Sequence, residues 1–230
     1  MMNNKAATAS VLCVLAALLG GCTSSSYNWG WHVVSPFDAR GANNIEFLIG
    51  GIGLTVAVAL SAITISVLLG LFVALPGLSS SRLLRGGSRI YVELFRSVPM
   101  LVMVLWVYYG VPVLLDIRIG IFLAGVIALA LCDSAFEAEI FRAGIQSIDH
   151  GQHEAADALG LGYLDKMRYI ILPQAIRRVL PPLGNQFVYM LKTSSLLSVI
   201  GLTELTRRAN ELVVTEYRPL EIYSFLVLEY

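Results

Sequence analysis

Residues 149–173 read DHGQHEAADALGLGYLDKMRYIILP, and the organisation of the chain follows from what lies on either side of them. Asp149 is placed to cap a helix, with Gln152 three residues on as in a capping box. Glu154 to Leu159 then form a good helical run. Gly160 and Gly162 follow, where a left-handed residue is expected to close the helix. Tyr163 to Ile171 make a second short helix. Leu172-Pro173 ends it and opens the next element, proline being tolerated in a first turn. The stretch is a helix–glycine–helix elbow, a compact knob suited to a groove on a partner protein.

On both sides of the elbow the sequence is apolar. The 230 residues are 57% hydrophobic and 14% charged, with a mean hydropathy of +0.73. A soluble domain is about 45–50% apolar and about 25% charged, so one buried core cannot absorb this surplus. Intrinsic disorder is excluded for the same reason. The net charge of zero gives no basic balance to suit nucleic acid. The length suits roughly five or six membrane spans. The first full span runs from about Phe47 to Leu75, opens on Gly50, Gly51 and Gly53, and stops at Pro76-Gly77. The second covers about Tyr91 to Leu115, the third about Ile119 to Ala143, and the fourth about Pro173 to Ile200, interrupted at Pro181-Pro182. A last apolar stretch, Pro219 to Tyr230, would reach only roughly 18 Å and reads as a truncated span.

Orientation follows from arginine and lysine. The 77–90 loop holds Arg82, Arg85 and Arg89, and the elbow region holds Lys166, Arg168, Arg177 and Arg178, so both face the cytoplasm. Arg207, Arg208 and Arg218, in the external 204–218 segment, run against that rule. Residues 1–22 carry Lys5 and then an apolar run ending Leu19-Gly20-Gly21-Cys22, either a signal peptide with a lipidated Cys22 or an uncleaved signal anchor. Both readings place 23–44 outside, where Trp29 and Trp31 suit the membrane–water interface. Cys13, Cys22 and Cys132 form no CxxC, and His32, His150 and His153 form no HExxH, so neither a disulfide framework nor a metal site is indicated.

The elbow spacing is Glu154-Ala155-Ala156, three residues, Gly160, nine residues, Ile170, one residue, Leu172-Pro173. It resembles the EAA loop (EAA-x3-G-x9-I-x-LP) of permease subunits of bacterial ATP-binding-cassette importers, and all seven fixed residues match. From about residue 47 onward the resemblance is to the polar amino acid uptake branch. It is carried by Phe95-Arg96-Ser97-Val98-Pro99, Tyr108-Tyr109-Gly110, the run from Ser134 to Ile145, and Leu180-Pro181-Pro182-Leu183-Gly184-Asn185-Gln186. Lys192-Thr193-Ser194-Ser195-Leu196 departs from the commoner Lys-Asp-Thr-Ser-Leu of that branch.

The resemblance implies an all-α integral membrane fold, the five-span core of a type I importer permease over 45–230. It implies a multi-pass subunit of the bacterial inner membrane that passes a polar amino acid, with acidic amino acids or glutamine preferred. Residues 144–173 would be the cytoplasmic coupling loop, with Glu154, Ala155, Ala156, Gly160, Ile170, Leu172 and Pro173 docking an ATPase rather than catalysing. Glu154 either contacts that partner or favours the amino end of its own helix. The chain is expected to bind no cofactor: none of Lys5, Lys166 and Lys192 follows a glycine, so there is no G-x4-G-K-[ST] phosphate loop. ATP and Mg²⁺ would sit on a pair of separate ATP-binding subunits. Further implied partners are a second permease, identical or sister, a periplasmic amino-acid-binding protein, and membrane lipid. A secondary transporter would leave the elbow unexplained, and a lipid-anchored scaffold is suggested only by Cys22.

Polar residues at membrane depth need partners or a wet cavity. Asp133 and Glu137 share a helix face, as do Glu139 with Arg142 and Glu93 with Arg96, the last two read as salt bridges. Asn185, Gln186, Lys192, Thr193 and Ser194 lie along the fourth span. They are either a wall for a zwitterionic solute or interhelical hydrogen-bonding groups.

Overall fold

The computed structural model describes residues 27–230; the leader reading of 1–22 and Cys22 lie outside the described residues. Helices account for the regular structure among them, with no strand. In chain order they are α1 (Ala39–Ile49), α2 (Ile52–Gly77), α3 (Arg82–Ser97), α4 (Met100–Leu115), α5 (Ile121–Gln146), α6 (His150–Ala158), α7 (Tyr163–Lys166), α8 (Leu172–Thr193), α9 (Leu205–Glu216) and α10 (Pro219–Glu229).

The centre of the bundle is the pair α2 and α5, packed along most of their length, with α8 laid across both. The face of α2 that meets α5 is a stripe of small residues: Ala59, Ala62, Ser66, Gly70 and Ala74. Between membrane helices close packing does the work that apolar burial does in water, and small residues allow it. Gly70 marks the tightest point, because a Cβ there would stand 2.5 Å from the Glu137 Cβ. Val58, Met103, Val104, Leu129 and Met190 of four helices, with Leu197 of the 3-10 helix Ser194–Ile200, fill the remaining core.

By length and composition, two helical stretches cross a membrane alone, Ala39–Gly77 and Ile121–Gln146; counting the bent pair α3 and α4 makes three. The second span expected over Tyr91 to Leu115 is not one helix. Pro99 holds Val98 in extended backbone (φ −87°, ψ 125°), and α3 and α4 meet at a bend of 96°. The break expected at Pro181-Pro182 is absent, since α8 runs through both prolines and forgoes their two N–H groups. The first span gains a break instead. Gly50 and Gly51 separate α1 from α2 because the 204–218 segment packs there: added Cβ atoms would lie 2.3 Å from the Arg208 guanidinium and 2.8 Å from Leu205 N.

At the end of the bundle that holds α9 and α10, Val33, Leu48, Leu205, Ala209, Leu212, Ile222 and Leu226 form a second core under the segment before α2. The arginines that run against the orientation rule are engaged there. Arg207 binds Glu211 at 2.8 Å, Arg208 donates to Phe47 O at 2.7 Å, and Arg218 donates to Asn28 O. Glu221 accepts from Tyr27 Oη at 2.5 Å and Gly30 N at 2.6 Å, so the chain ahead of α1 is stitched to α10.

Candidate functional site

The elbow hangs from the C-terminal end of α5. Asp149 caps α6 by accepting from Gly151 N at 2.7 Å. No capping box forms, because the Gln152 side chain turns instead to Gln174 on α8, at 3.1 Å. Helix α6 ends on Gly160 at φ +72°. There Leu161 N donates to Ala156 O at 3.1 Å and Gly160 N to Asp157 O at 3.0 Å, the paired bonds of a Schellman motif. A Cβ on Gly160 would meet no atom within 4 Å, so only the backbone angle demands glycine.

The second arm differs from its sequence reading. It does not stop at Leu172-Pro173. Residues Met167–Ile171 widen into a π-turn in which Leu172 N donates to Met167 O, and the helix continues into α8. Pro173 has no N–H to give, and the wide turn absorbs that loss without ending the helix. Tyr163 to Thr193 is therefore helical without interruption.

The motif residues divide by role. Ala156 is fully buried, and Ile170 packs beside the buried cluster of Ile148, Ile171 and Ala175 that fastens the elbow to the bundle. Lys166 bridges to Asp157 at 2.6 Å and ties the two arms. Glu154, Ala155, Gly160, Leu172 and Pro173 are exposed. Beside them the tip shows Leu159, Tyr163 and Leu164, at 76%, 71% and 79% exposure. These apolar tip residues were not singled out from sequence; three large apolar residues flanking two glycines in a polar stretch between apolar ones were the signal available.

The polar residues of the spans also separate. Asp133 lies fully buried where α2, α5 and α8 meet, accepting from Ser66 Oγ at 2.7 Å and Gln186 Nε2 at 2.6 Å. Thr193 and Ser194 are buried and turn back on their own helix, to Tyr189 O and Leu191 O. Asn185 and Lys192 are exposed and have no hydrogen-bond partner among the described residues. Glu137 is buried against α2, with neither carboxylate oxygen hydrogen-bonded among the described residues. Glu139 does pair with Arg142, at 3.4 Å, and it also holds Arg96. The pair expected between Glu93 and Arg96 does not form: Arg96 binds Glu139 of α5, and Arg89 takes Glu93 at 2.6 Å.

Residues 66–228 match the family described as "binding-protein-dependent transport system inner membrane component". The glutamine transport system permease protein GlnP of Escherichia coli (strain K12) is 35% identical over 187 residues, 81% of this chain and 85% of its own. The arginine transport system permease protein ArtQ of Bacillus subtilis (strain 168) is 36% identical over 191 residues, 80% of this chain and 87% of its own. A solved amino acid ABC transporter chain superposes with a TM-score of 0.78 at 43% identity, covering 82% of this chain and 88% of that one. A chain of the MetNI methionine ABC transporter, at 18% identity and a TM-score of 0.65, shares the fold over 80% of this chain and 89% of its own.

Proposed function

The chain belongs to the binding-protein-dependent transport system inner membrane components, as an amino-acid ABC importer permease, and we propose that it passes glutamine or a similarly polar amino acid, driven by ATP hydrolysis on a separate subunit. The observation that carries the coupling is the elbow. It presents exposed Leu159, Tyr163 and Leu164 on a knob held rigid by the Gly160 turn and the Lys166–Asp157 bridge. The sequence has no phosphate loop, so ATP and Mg²⁺ belong to the partner that this knob enters. Glu154 is exposed in the second turn of α6, beyond the reach of the helix-end field, which favours a contact with that partner.

Motion at the knob reaches the bundle through the unbroken helix from Tyr163 to Thr193. That lever carries Asn185 and Lys192, two polar side chains of α8 left free for a solute carboxylate and amino group. Two ATPase subunits must close on each other, so two permeases face each other. The exposed apolar side of α4, with Val102, Trp106, Tyr109 and Val113, suits that contact. A periplasmic binding protein delivers the amino acid at the external end, and the assembly sits in the cytoplasmic membrane.

The test is ATP hydrolysis in proteoliposomes holding this chain, its ATPase and its partner permease, with a panel of amino acids on the cognate binding protein. Stimulation by one polar amino acid, with uptake lost in Lys192→Ala while the complex still assembles, is expected. Failure of any ATPase to copurify overturns the coupling reading, and normal uptake by Lys192→Ala removes that residue from the pathway.

A further inference from the structure

A cavity of about 880 Å³ opens at the cytoplasmic end of α2, α3 and α5, and nothing in the coupling elbow or the solute pathway uses it. Its polar lining is strongly basic: Arg82, Arg85, Arg89, Arg96 and Arg142, against Glu93 and Glu139. The carboxylates are taken. Glu93 holds Arg89, and Glu139 holds Arg96 and Arg142. Arg82 and Arg85 have no carboxylate within salt-bridge distance among the described residues. The cavity therefore carries two uncompensated guanidinium groups at a membrane surface.

Helix α3 explains how they come to be there. It has no buried residue, and it stands at 96° to α4, as an interfacial helix stands to a spanning one. A period of 3.6 divides it into three faces. Ser88 and Tyr91 point to the bundle, bonding Val73 O at 2.7 Å and Ser134 Oγ at 2.8 Å. Arg82, Arg85, Arg89 and Arg96 line the cavity. Leu83, Ile90 and Leu94 form the third face and are 85%, 69% and 57% exposed. A basic cavity rimmed by an apolar strip matches a molecule with an anionic head and hydrocarbon tails.

We propose that this cavity holds the headgroup of an anionic phospholipid of the cytoplasmic leaflet, with its acyl chains against Leu83, Ile90 and Leu94. Arginine presents a planar fork that binds phosphate oxygens two at a time, and the leaflet supplies phosphate at this depth. Basic pockets between helices on the cytoplasmic side suit acidic headgroups, and each guanidinium near the surface adds a comparable increment of attraction. A zwitterionic lipid offers no net charge to Arg82 and Arg85 and is held less well.

The test uses the full chain purified with its ATPase in detergent containing equal dioleoyl phosphatidylglycerol and dioleoyl phosphatidylcholine, the retained lipid being quantified by mass spectrometry. Phosphatidylglycerol is expected to be enriched on the protein. The Arg82→Gln/Arg85→Gln variant should lose roughly 30-fold of its affinity at low salt. Arg82→Lys/Arg85→Lys should keep most of it, and Arg118→Gln, in the turn at the other end of α4, should change nothing. Equal retention of the two lipids, or unchanged enrichment in the double glutamine variant, overturns the proposal. So does displacement of the lipid by millimolar inorganic phosphate, which would make the cavity a site for small anions. Loss of the second permease in the double glutamine variant without loss of lipid would assign the cavity to a protein contact instead. Should that variant not be recovered, raising KCl from about 50 mM to about 500 mM must shed phosphatidylglycerol from the unaltered complex, and indifference to salt refutes the site. Lipid retention is scored without any transport, so this proposal and the functional reading fail separately.

Discussion

Substituting Gly160 separates a conformational requirement from a contact. The residue sits at φ +72°, and a Cβ there would meet no atom of this chain within 4 Å. The cost of a side chain is therefore the left-handed backbone alone, about 1–2 kcal/mol for an ordinary residue such as alanine. Asparagine visits this region readily and loses less than alanine, although it is larger. If the docked elbow needs the Gly160 turn, the fraction in that form falls by the same free energy. About 1–2 kcal/mol corresponds to roughly 5- to 30-fold. The half-saturating concentration of ATPase subunit should then rise by that factor in Gly160→Ala, by less in Gly160→Asn, and by most in Gly160→Val. The maximal rate at saturating ATPase should stay near that of the parent. The assay is titration of purified ATPase onto the permease in nanodiscs, read as ATP hydrolysis. A contact role predicts the reverse order, because the larger asparagine would collide where alanine would not. Asparagine worse than alanine, or a fall in maximal rate with no change in half-saturation, would refute the conformational account.

Gly70→Ala forces a Cβ to 2.5 Å from the Glu137 Cβ and 3.0 Å from Ala138 N, and should lower stability by about 1–3 kcal/mol in thermal unfolding. Gly53→Ala, whose Cβ meets nothing within 4 Å, should stay within about 0.5 kcal/mol of the parent; equal losses at both positions would contradict the packing of α2 on α5. Asp133→Ala removes the bonds from Ser66 and Gln186 and should cost about 1 kcal/mol, at ~0.6 kcal/mol for each bond within the membrane. Asp133→Asn should recover part of that loss in the same unfolding measurement. Glu204 caps α9 from a buried position, and burial pushes its carboxyl above the usual carboxylate range, against hydrogen bonds from Thr206 N, Arg207 N and Tyr230 Oη. Its folded pKa being raised, its contribution to stability is full below about pH 4 and is lost as pH rises through the folded value. Hydrogen exchange of Leu205–Glu216, corrected for intrinsic rates, should show that loss, and Glu204→Gln should flatten it; an unchanged pH profile in the variant would assign the dependence elsewhere.

Local chemistry was legible in the sequence wherever one residue sets one backbone feature. Asp149 as a cap and Gly160 as a left-handed turn both stand where the sequence placed them. What was not legible depends on neighbours distant in the chain. Gln152 fits a capping box by spacing, yet Gln174, 22 residues on, competes for its side chain and wins. Glu93 and Arg96 have the spacing of a helical pair, but Arg96 binds Glu139 of α5 instead. The five polar residues of the fourth span look alike in sequence. Only the packing of α2 and α5 shows that Gln186 serves Asp133, that Thr193 and Ser194 serve their own backbone, and that Asn185 and Lys192 are left over.

The prolines are the deepest of these cases, because the sequence rule points the wrong way and the outcome bears on mechanism. Pro173, Pro181 and Pro182 each withhold an N–H, and each reads as a boundary. Had all three been boundaries, the elbow would be hinged to the bundle and α8 would be two pieces. A push on Leu159 or Leu164 would then dissipate at the hinge. Instead the π-turn at Met167–Ile171 carries the helix past Pro173, and packing of Ala175, Val179 and Met190 holds it together past the other two. The uninterrupted length from Tyr163 to Thr193 is roughly 46 Å at 1.5 Å per residue, more than the ~30 Å of the hydrocarbon core. One end of that length lies at the exposed tip of the elbow, and the other carries Lys192. A helix that keeps its axis over such a span converts a displacement at the knob into tilt rather than bending. Gln186 on the same helix is tied through Asp133 to Ser66 on α2. The tilt therefore works against a three-helix hydrogen-bond junction about three quarters of the way from the elbow to the far end, so a displacement at the knob reaches Lys192 reduced rather than amplified.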